Sequence, residues 1–107
     1  MPESIENVTI KAKANVYFDG KIVSHSVVTA DGSDVSLGVI FPGEYHLGTA
    51  AAEIMDITAG SCVVVIDGTT EKIEVAAGSA FNVGADSGFT ITVTDSPCEY
   101  VCSYLKS

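Results

Sequence analysis

Pro42-Gly43-Glu44-Tyr45-His46-Leu47-Gly48-Thr49, continued by Glu53-Ile54-Met55-Asp56-Ile57-Thr58-Ala59-Gly60, is the stretch whose reading decides the fold. A proline-glycine turn leads into two short alternating segments, and a further glycine closes them. Successive side chains of a strand point to opposite faces, so Glu53 shares a face with Met55 and Ile57. A carboxylate in phase with two apolar neighbours is aimed at a core, and that placement marks it as a candidate functional group.

Working outward, the same grammar holds on both sides. Asn15-Val16-Tyr17-Phe18-Asp19-Gly20-Lys21 carries an Asp-Gly turn signal and is followed by the β-branched run Ile22 to Thr29, which predicts a hairpin. Val35, Leu37, Val39 and Phe41 alternate onto one face before Pro42 stops the strand, since proline cannot donate to a ladder. Ser61 to Ile66 is nearly continuous apolar sequence and predicts a central strand covered on both sides, turned by Asp67-Gly68. Thr69 to Val75 returns as its partner, Ala80 to Val83 forms a short strand, and Phe89, Ile91 and Val93 point inward from the clearest period-two pattern of the chain. Glu99 to Leu105 closes the chain as a last strand. About ten short strands punctuated by Gly, Pro and Asp, with no segment of helical period, predict an all-β sandwich or barrel. Residues 1–14 read as an N-terminal arm or edge strand, and 15–107 as one barrel domain.

Composition excludes several function classes. The 107 residues carry fourteen acidic side chains against five lysines and no arginine, a formal charge of −9. That field repels phosphodiester backbones and anionic lipid surfaces, so neither nucleic acid nor membrane is expected as a partner. No apolar run approaches the roughly 20 residues that span a bilayer, and the N-terminus lacks a basic-then-apolar signal layout, so a cytoplasmic location is expected. Cys62, Cys98 and Cys102 form no CxxC pair, which predicts buried reduced thiols rather than a disulfide framework or structural zinc.

The order of these segments resembles a known family. Pro42-Gly43, Glu53 with six residues before Gly60, an Asp-Gly turn, and Gly78 leading through Phe81-Asn82-Val83 to Gly88-Phe89 are similar to the two motifs of a cupin. More narrowly, Asn15 to Lys21, Ser36-Leu37-Gly38-Val39, Pro42-Gly43-Glu44-Tyr45, Gly48-Thr49-Ala50, Gly78 to Val83 and Tyr100 to Leu105 resemble the pyrimidine/purine nucleoside phosphorylases, small single-domain cupins. The resemblance implies a double-stranded β-helix barrel, or jelly roll, paired into a homodimer. It also implies an enzyme that uses phosphate to cleave purine and pyrimidine ribonucleosides into ribose 1-phosphate and free base. Metal-binding cupins carry a His-x-His pair between Gly and Glu over a longer spacing than the nine residues from Gly43 to Glu53 here, and a last histidine where this chain has Phe89. His46 and Glu53 alone hold a first-row metal weakly, so no metal and no cofactor are expected, with phosphate as co-substrate. Asp34 stands where the family often carries a basic residue.

Phosphorolysis passes through an oxocarbenium-like sugar, which calls for a carboxylate near the developing charge and the ribose hydroxyls. Glu53 is the first candidate, and desolvation at a buried position would raise its pKa. His46, Tyr45 or an acid near Asp86 are candidates for protonating the leaving base. Lys21, Ser24 and Thr49 are candidates for the phosphate cradle, and Glu44, Asp86 and Phe89 complete the substrate-contacting set. Alternation places His46 with Glu44 on the face opposite Tyr45, Leu47 and Thr49, which favours an exposed histidine. Tyr17, Tyr100 and Tyr104 read as core or interface aromatics. The alternative reading is a metal-free cupin without catalysis that binds a small molecule or serves in assembly.

Overall fold

A computed structural model describes residues 4–105, and the two chain ends beyond them lie outside the described residues. The strands are β1 (Thr9–Ile10), β2 (Asn15–Tyr17), β3 (Ile22–Val28), β4 (Asp34–Ile40), β5 (Gly43–Gly48), β6 (Glu53–Ala59), β7 (Ser61–Ile66), β8 (Ile73–Ala76), β9 (Ala80–Val83), β10 (Gly88–Val93) and β11 (Cys98–Tyr104). They form two antiparallel sheets, one in the order β1-β3-β4-β11-β6-β9 with β2 also on β3, the other in the order β5-β10-β7-β8. From β4 onward the chain crosses repeatedly between the sheets, as in the jelly roll of a cupin-like barrel.

The Asp-Gly signal makes the expected hairpin, with Asn15 opposite Ser24 and Tyr17 opposite Ile22. Its turn is left-handed at three consecutive residues, Phe18, Asp19 and Gly20, with φ of 51°, 55° and 89°. This conformation suits Asp-Gly but is unfavourable for phenylalanine. The Phe18 ring rests on Tyr45, centroids 5.0 Å apart, which holds the turn against the core.

The core lies between the sheets. Ile22, Ile40, Met55, Ile57, Val64, Phe81, Phe89 and Ile91 are all buried there, with the free thiols Cys62, Cys98 and Cys102. Phe89, Ile91 and Val93 face inward as their alternation requires.

Two expectations need correction. The alternating Val35, Leu37 and Val39 do not face the inter-sheet core; Ser36, Gly38 and Ile40 do. The outward valines and leucine are tolerated because the N-terminal arm covers part of that face, where Ile5, Val8 and Leu37 pack on Val27, Val35 and Val101. Within the arm, Thr9 and Ile10 form the edge strand β1, with Thr9 opposite Val28. Likewise β7 is central in its sheet but covered on one face only. Cys62 and Val64 are buried, whereas Val63 and Val65 line an outer groove with Lys72, Glu74 and Thr92.

Candidate active site

Among the described residues the buried polar or charged side chains are Ser24, Ser36 and Glu53, 3, 4 and 9 % exposed. All three stand on the inner face of the first sheet near one end, and strand register explains why. Ser24 lies opposite Gly38, which lies opposite Tyr100 on the next strand. One row on, Ser36 lies opposite Cys102, and Cys102 opposite Met55. In the last row Tyr104 lies opposite Glu53, the first residue of β6. The polar groups of β3, β4, β6 and β11 thus converge where these strands meet the open end of the sandwich.

Ser24, Glu53, Tyr100, Cys102 and Tyr104 border a cavity of about 480 Å³, with Ser36 behind them. Its polar wall is Tyr17, Ser24, Asp34, Thr49, Glu53, Tyr100, Cys102 and Tyr104, and Ile22, Leu47, Met55 and Phe89 supply the apolar wall. A larger depression of about 670 Å³ lies on the outer face of the first sheet, between the arm and Val23, Leu37 and Val39. The smaller cavity is the better candidate, because buried polar groups converge on it and function follows such groups rather than volume.

Tyr100 crosses its neighbour strand to reach this site. Its ring lies directly over Gly38, where any Cβ would collide with it, and Ser24 lies opposite Gly38 on the strand beyond. Asn15 Nδ2 donates to Ser24 Oγ at 3.3 Å and to Ser26 Oγ at 3.1 Å, fixing that serine from the other side. Tyr104 and Ser36 share a hydrogen bond of 3.0 Å.

Electrostatically the buried part of the site is one carboxylate among hydroxyl and thiol groups, with the exposed Asp34 at its edge. Burial pushes the Glu53 carboxyl above the ordinary carboxylate range, and a hydrogen bond from the Cys102 thiol opposes that shift. Cys102 is itself pushed up to about 12, by burial first and by the charge of Glu53 second. Burial likewise raises Tyr100 to about 12 and pushes Tyr104 up as well. The thiol and both phenols therefore stay protonated at neutral pH and line the cavity beside the carboxylate.

Of the residues singled out in the sequence, Ser24, Thr49, Glu53 and Phe89 share this cavity. Tyr45 does not: it is buried in the core, and its hydroxyl donates to the carbonyls of Phe41 at 2.8 Å and Pro42 at 3.1 Å, tying down the turn before β5. Glu44 and His46 point from the outer face of the second sheet, as the pleat dictates. There His46 Nε2 sits 2.8 Å from Asp67 Oδ2, so neither residue can contact a ligand held between the sheets. Lys21 is exposed beyond the left-handed turn and does not line the cavity. Asp86 is also exposed, with φ of 50°, and its backbone N–H donates to Ala50 O at 3.1 Å. Thr49 is committed to the rim: its hydroxyl donates to Gly84 O at 2.6 Å and accepts from Ser87 N at 3.0 Å.

The residues that sequence reasoning left out are Tyr17, Asp34, Ser36, Tyr100, Cys102 and Tyr104. A signal was present for several of them. Ser24 and Ser36 are in phase with Ile22 and Ile40, and Tyr100, Cys102 and Tyr104 alternate in phase with Cys98. Among the described residues no three His, Cys, Asp or Glu side chains converge as metal ligands.

The family model described as pyrimidine/purine nucleoside phosphorylase matches residues 12–104. The chain belongs to that family. It is 48% identical over 104 residues to the pyrimidine/purine nucleoside phosphorylase of Aromatoleum aromaticum, covering 97% of each chain. It is 49% identical over 100 residues to the protein of that name from Hydrogenovibrio crunogenus, covering 94% of this chain and 95% of the relative. A crystal structure of a protein of unknown function from an Acinetobacter species superposes with a TM-score of 0.92 at 38% identity, covering 95% of this chain and 98% of that one. The family resemblance read from the motifs is thus shown, and with it the cupin-like fold. Every element that builds the cavity lies within the span matched by the family model.

Proposed function

We propose that the chain is a nucleoside phosphorylase that cleaves the N-glycosidic bond of purine and pyrimidine ribonucleosides with phosphate, giving ribose 1-phosphate and free base. The observation that carries this reading is the convergence of the buried Glu53 and Ser24, with Tyr100, Cys102 and Tyr104, on one cavity in a chain of this family. Glu53 accepts hydrogen bonds from ribose hydroxyls and offsets the positive charge that develops at C1′ as the bond to the base breaks. A phosphate oxygen attacks C1′, the bonding pair leaves with the base, and the base takes its proton at the open mouth of the cavity. Phe89, Met55 and Leu47 offer the base an apolar wall with no pattern of donors and acceptors, which supports acceptance of both base classes. Phosphate is the demanding partner: among the described residues the cavity presents Asp34 and Glu53 but no lysine, leaving hydroxyls and backbone N–H groups to hold it.

The reading includes catalysis without metal, a cytoplasmic setting and a homodimer, for which Val23, Leu37 and Val39 on the outer face of the first sheet offer apolar surface. Among the described residues no helix is long and apolar enough to cross a membrane. The test is to incubate the purified protein with uridine, adenosine and guanosine, with and without phosphate and with and without chelator. Base release only with phosphate, and insensitive to chelator, is expected. Release without phosphate would replace the proposal by a hydrolase, and no release in either case would favour a binding module.

A further inference from the structure

Cys102 takes no part in the proposed bond cleavage, yet it is the side chain best placed to govern Glu53. It is 2 % exposed and lines the same cavity. The β11 register puts Tyr104 directly opposite Glu53 and Cys102 opposite Met55, two residues along on the same inward face. That diagonal relation is within side-chain reach across an antiparallel pair. On its other side Cys102 lies opposite Ser36, whose hydroxyl is shared with Tyr104 at 3.0 Å. The thiol therefore sits between the carboxylate and a closed hydroxyl pair.

We infer that Cys102 is a positioning residue for Glu53, its thiol donating a hydrogen bond that orients the carboxylate toward the cavity. The inference rests on the reading of Glu53 as the group that faces the ribose. A thiol suits this role because it is small enough for the core, and its burial beside a carboxylate keeps it protonated, so it remains a donor throughout the working range. The other titratable groups lining the cavity with Glu53 are Tyr17 from β2, Asp34 from β4, and Tyr100 and Tyr104 from β11, whereas β5 and β10 present Leu47 and Phe89. Removing the thiol leaves Glu53 facing burial with one donor fewer, so its pKa rises and the acid limb of the pH–rate profile moves to higher pH.

The experiment compares Cys102→Ala, Cys102→Val and Cys102→Ser with the wild type in two readouts: the pH profile of kcat/KM, and a titration of the Glu53 side-chain carboxyl by carbon-13 NMR. Ala and Val lack the donor but err in opposite steric directions, so a change common to both reports the hydrogen bond, and either one suffices if the other fails to fold. The expected result is an upward shift of the Glu53 titration and of the acid limb in Ala and Val, with roughly a tenfold loss of kcat/KM near neutral pH, on the scale of a hydrogen bond to a charged group. Cys102→Ser, which restores a donor, returns both to near the wild type. A Glu53 titration unmoved in Ala and Val overturns the inference, as does an equal shift in all three variants. Because the NMR titration needs no turnover, it separates this failure from that of the Glu53 reading, which the activity of Glu53→Gln decides.

Discussion

Glu53→Gln is expected to lower phosphate-dependent base release by about a hundred- to a thousandfold in kcat, the scale on which losing one preorganised electrostatic partner of a transition state is felt. Glutamine keeps the volume and an acceptor for the Cys102 thiol, but it loses the charge that offsets the oxocarbenium. The same variant is expected to be more stable than the wild type at alkaline pH. Burial raises the Glu53 pKa, so the folded protein holds that proton more tightly than the unfolded chain does. The stabilisation from protonated Glu53 is complete below the unfolded carboxyl pKa and is lost as pH rises through the folded value. Glutamine has no such titration, so its melting temperature should exceed that of the wild type at about pH 8 and converge with it at about pH 4. Rates within twofold of the wild type, or a variant that melts below the wild type at the higher pH, would contradict the assignment. A group that weakens the fold while serving the reaction is the usual compromise of a functional site.

The second large effect is expected at a residue that touches no ligand. Gly38→Ala puts a methyl group into the ring of Tyr100. Both residues belong to the strand pairing that carries the core, so the backbone has little room to yield. Overpacking of this kind destabilises by about 1–3 kcal/mol, or roughly 4–8 °C in melting temperature for each kcal/mol in a domain near this size. Tyr100 must leave its place over β4 and with it the wall of the cavity, and base release should fall with the melting temperature. In a double-mutant cycle, Tyr100→Ala should make Gly38→Ala nearly neutral, because the ring that forbids the methyl is then gone. A single variant within about 0.5 kcal/mol of the wild type would show that the ring does not hold this position.

These two sites were unequally legible in the sequence. Glu53 declared itself because an acid in phase with Met55 and Ile57 breaks a pattern that alternation makes visible. Gly38 declared nothing: its meaning comes from a tyrosine sixty-two positions away, brought onto it by the pairing of β4 with β11. The same long-range register hid Ser36, Cys102 and Tyr104, and it is further adjusted by a bulge between Glu99 and Tyr100. The strands themselves were readable from turns and period-two runs, but which face of β4 turned inward was not. Its apolar face is outward, partly under the arm, and its inner face carries Ser36, which bonds Tyr104, and Gly38, which leaves room for the Tyr100 ring, beside Ile40. β7 deceived for a related reason, since valines on both faces erase the alternation. His46 and Tyr45 lie away from this cavity, one turned outward to Asp67 and the other tied to the turn before β5.

The most direct test of the central claim is to follow the amide and side-chain NMR signals of the wild-type protein during titration with uridine or guanosine in the absence of phosphate. If the nucleoside binds between the sheets beside Glu53, perturbations will cluster on Ser24, Glu53, Met55, Phe89, Cys102 and Tyr104 and leave Glu44 and His46 unmoved. Perturbations confined to the outer faces, around Glu44 and His46 or around Val23 and Val39, would contradict it.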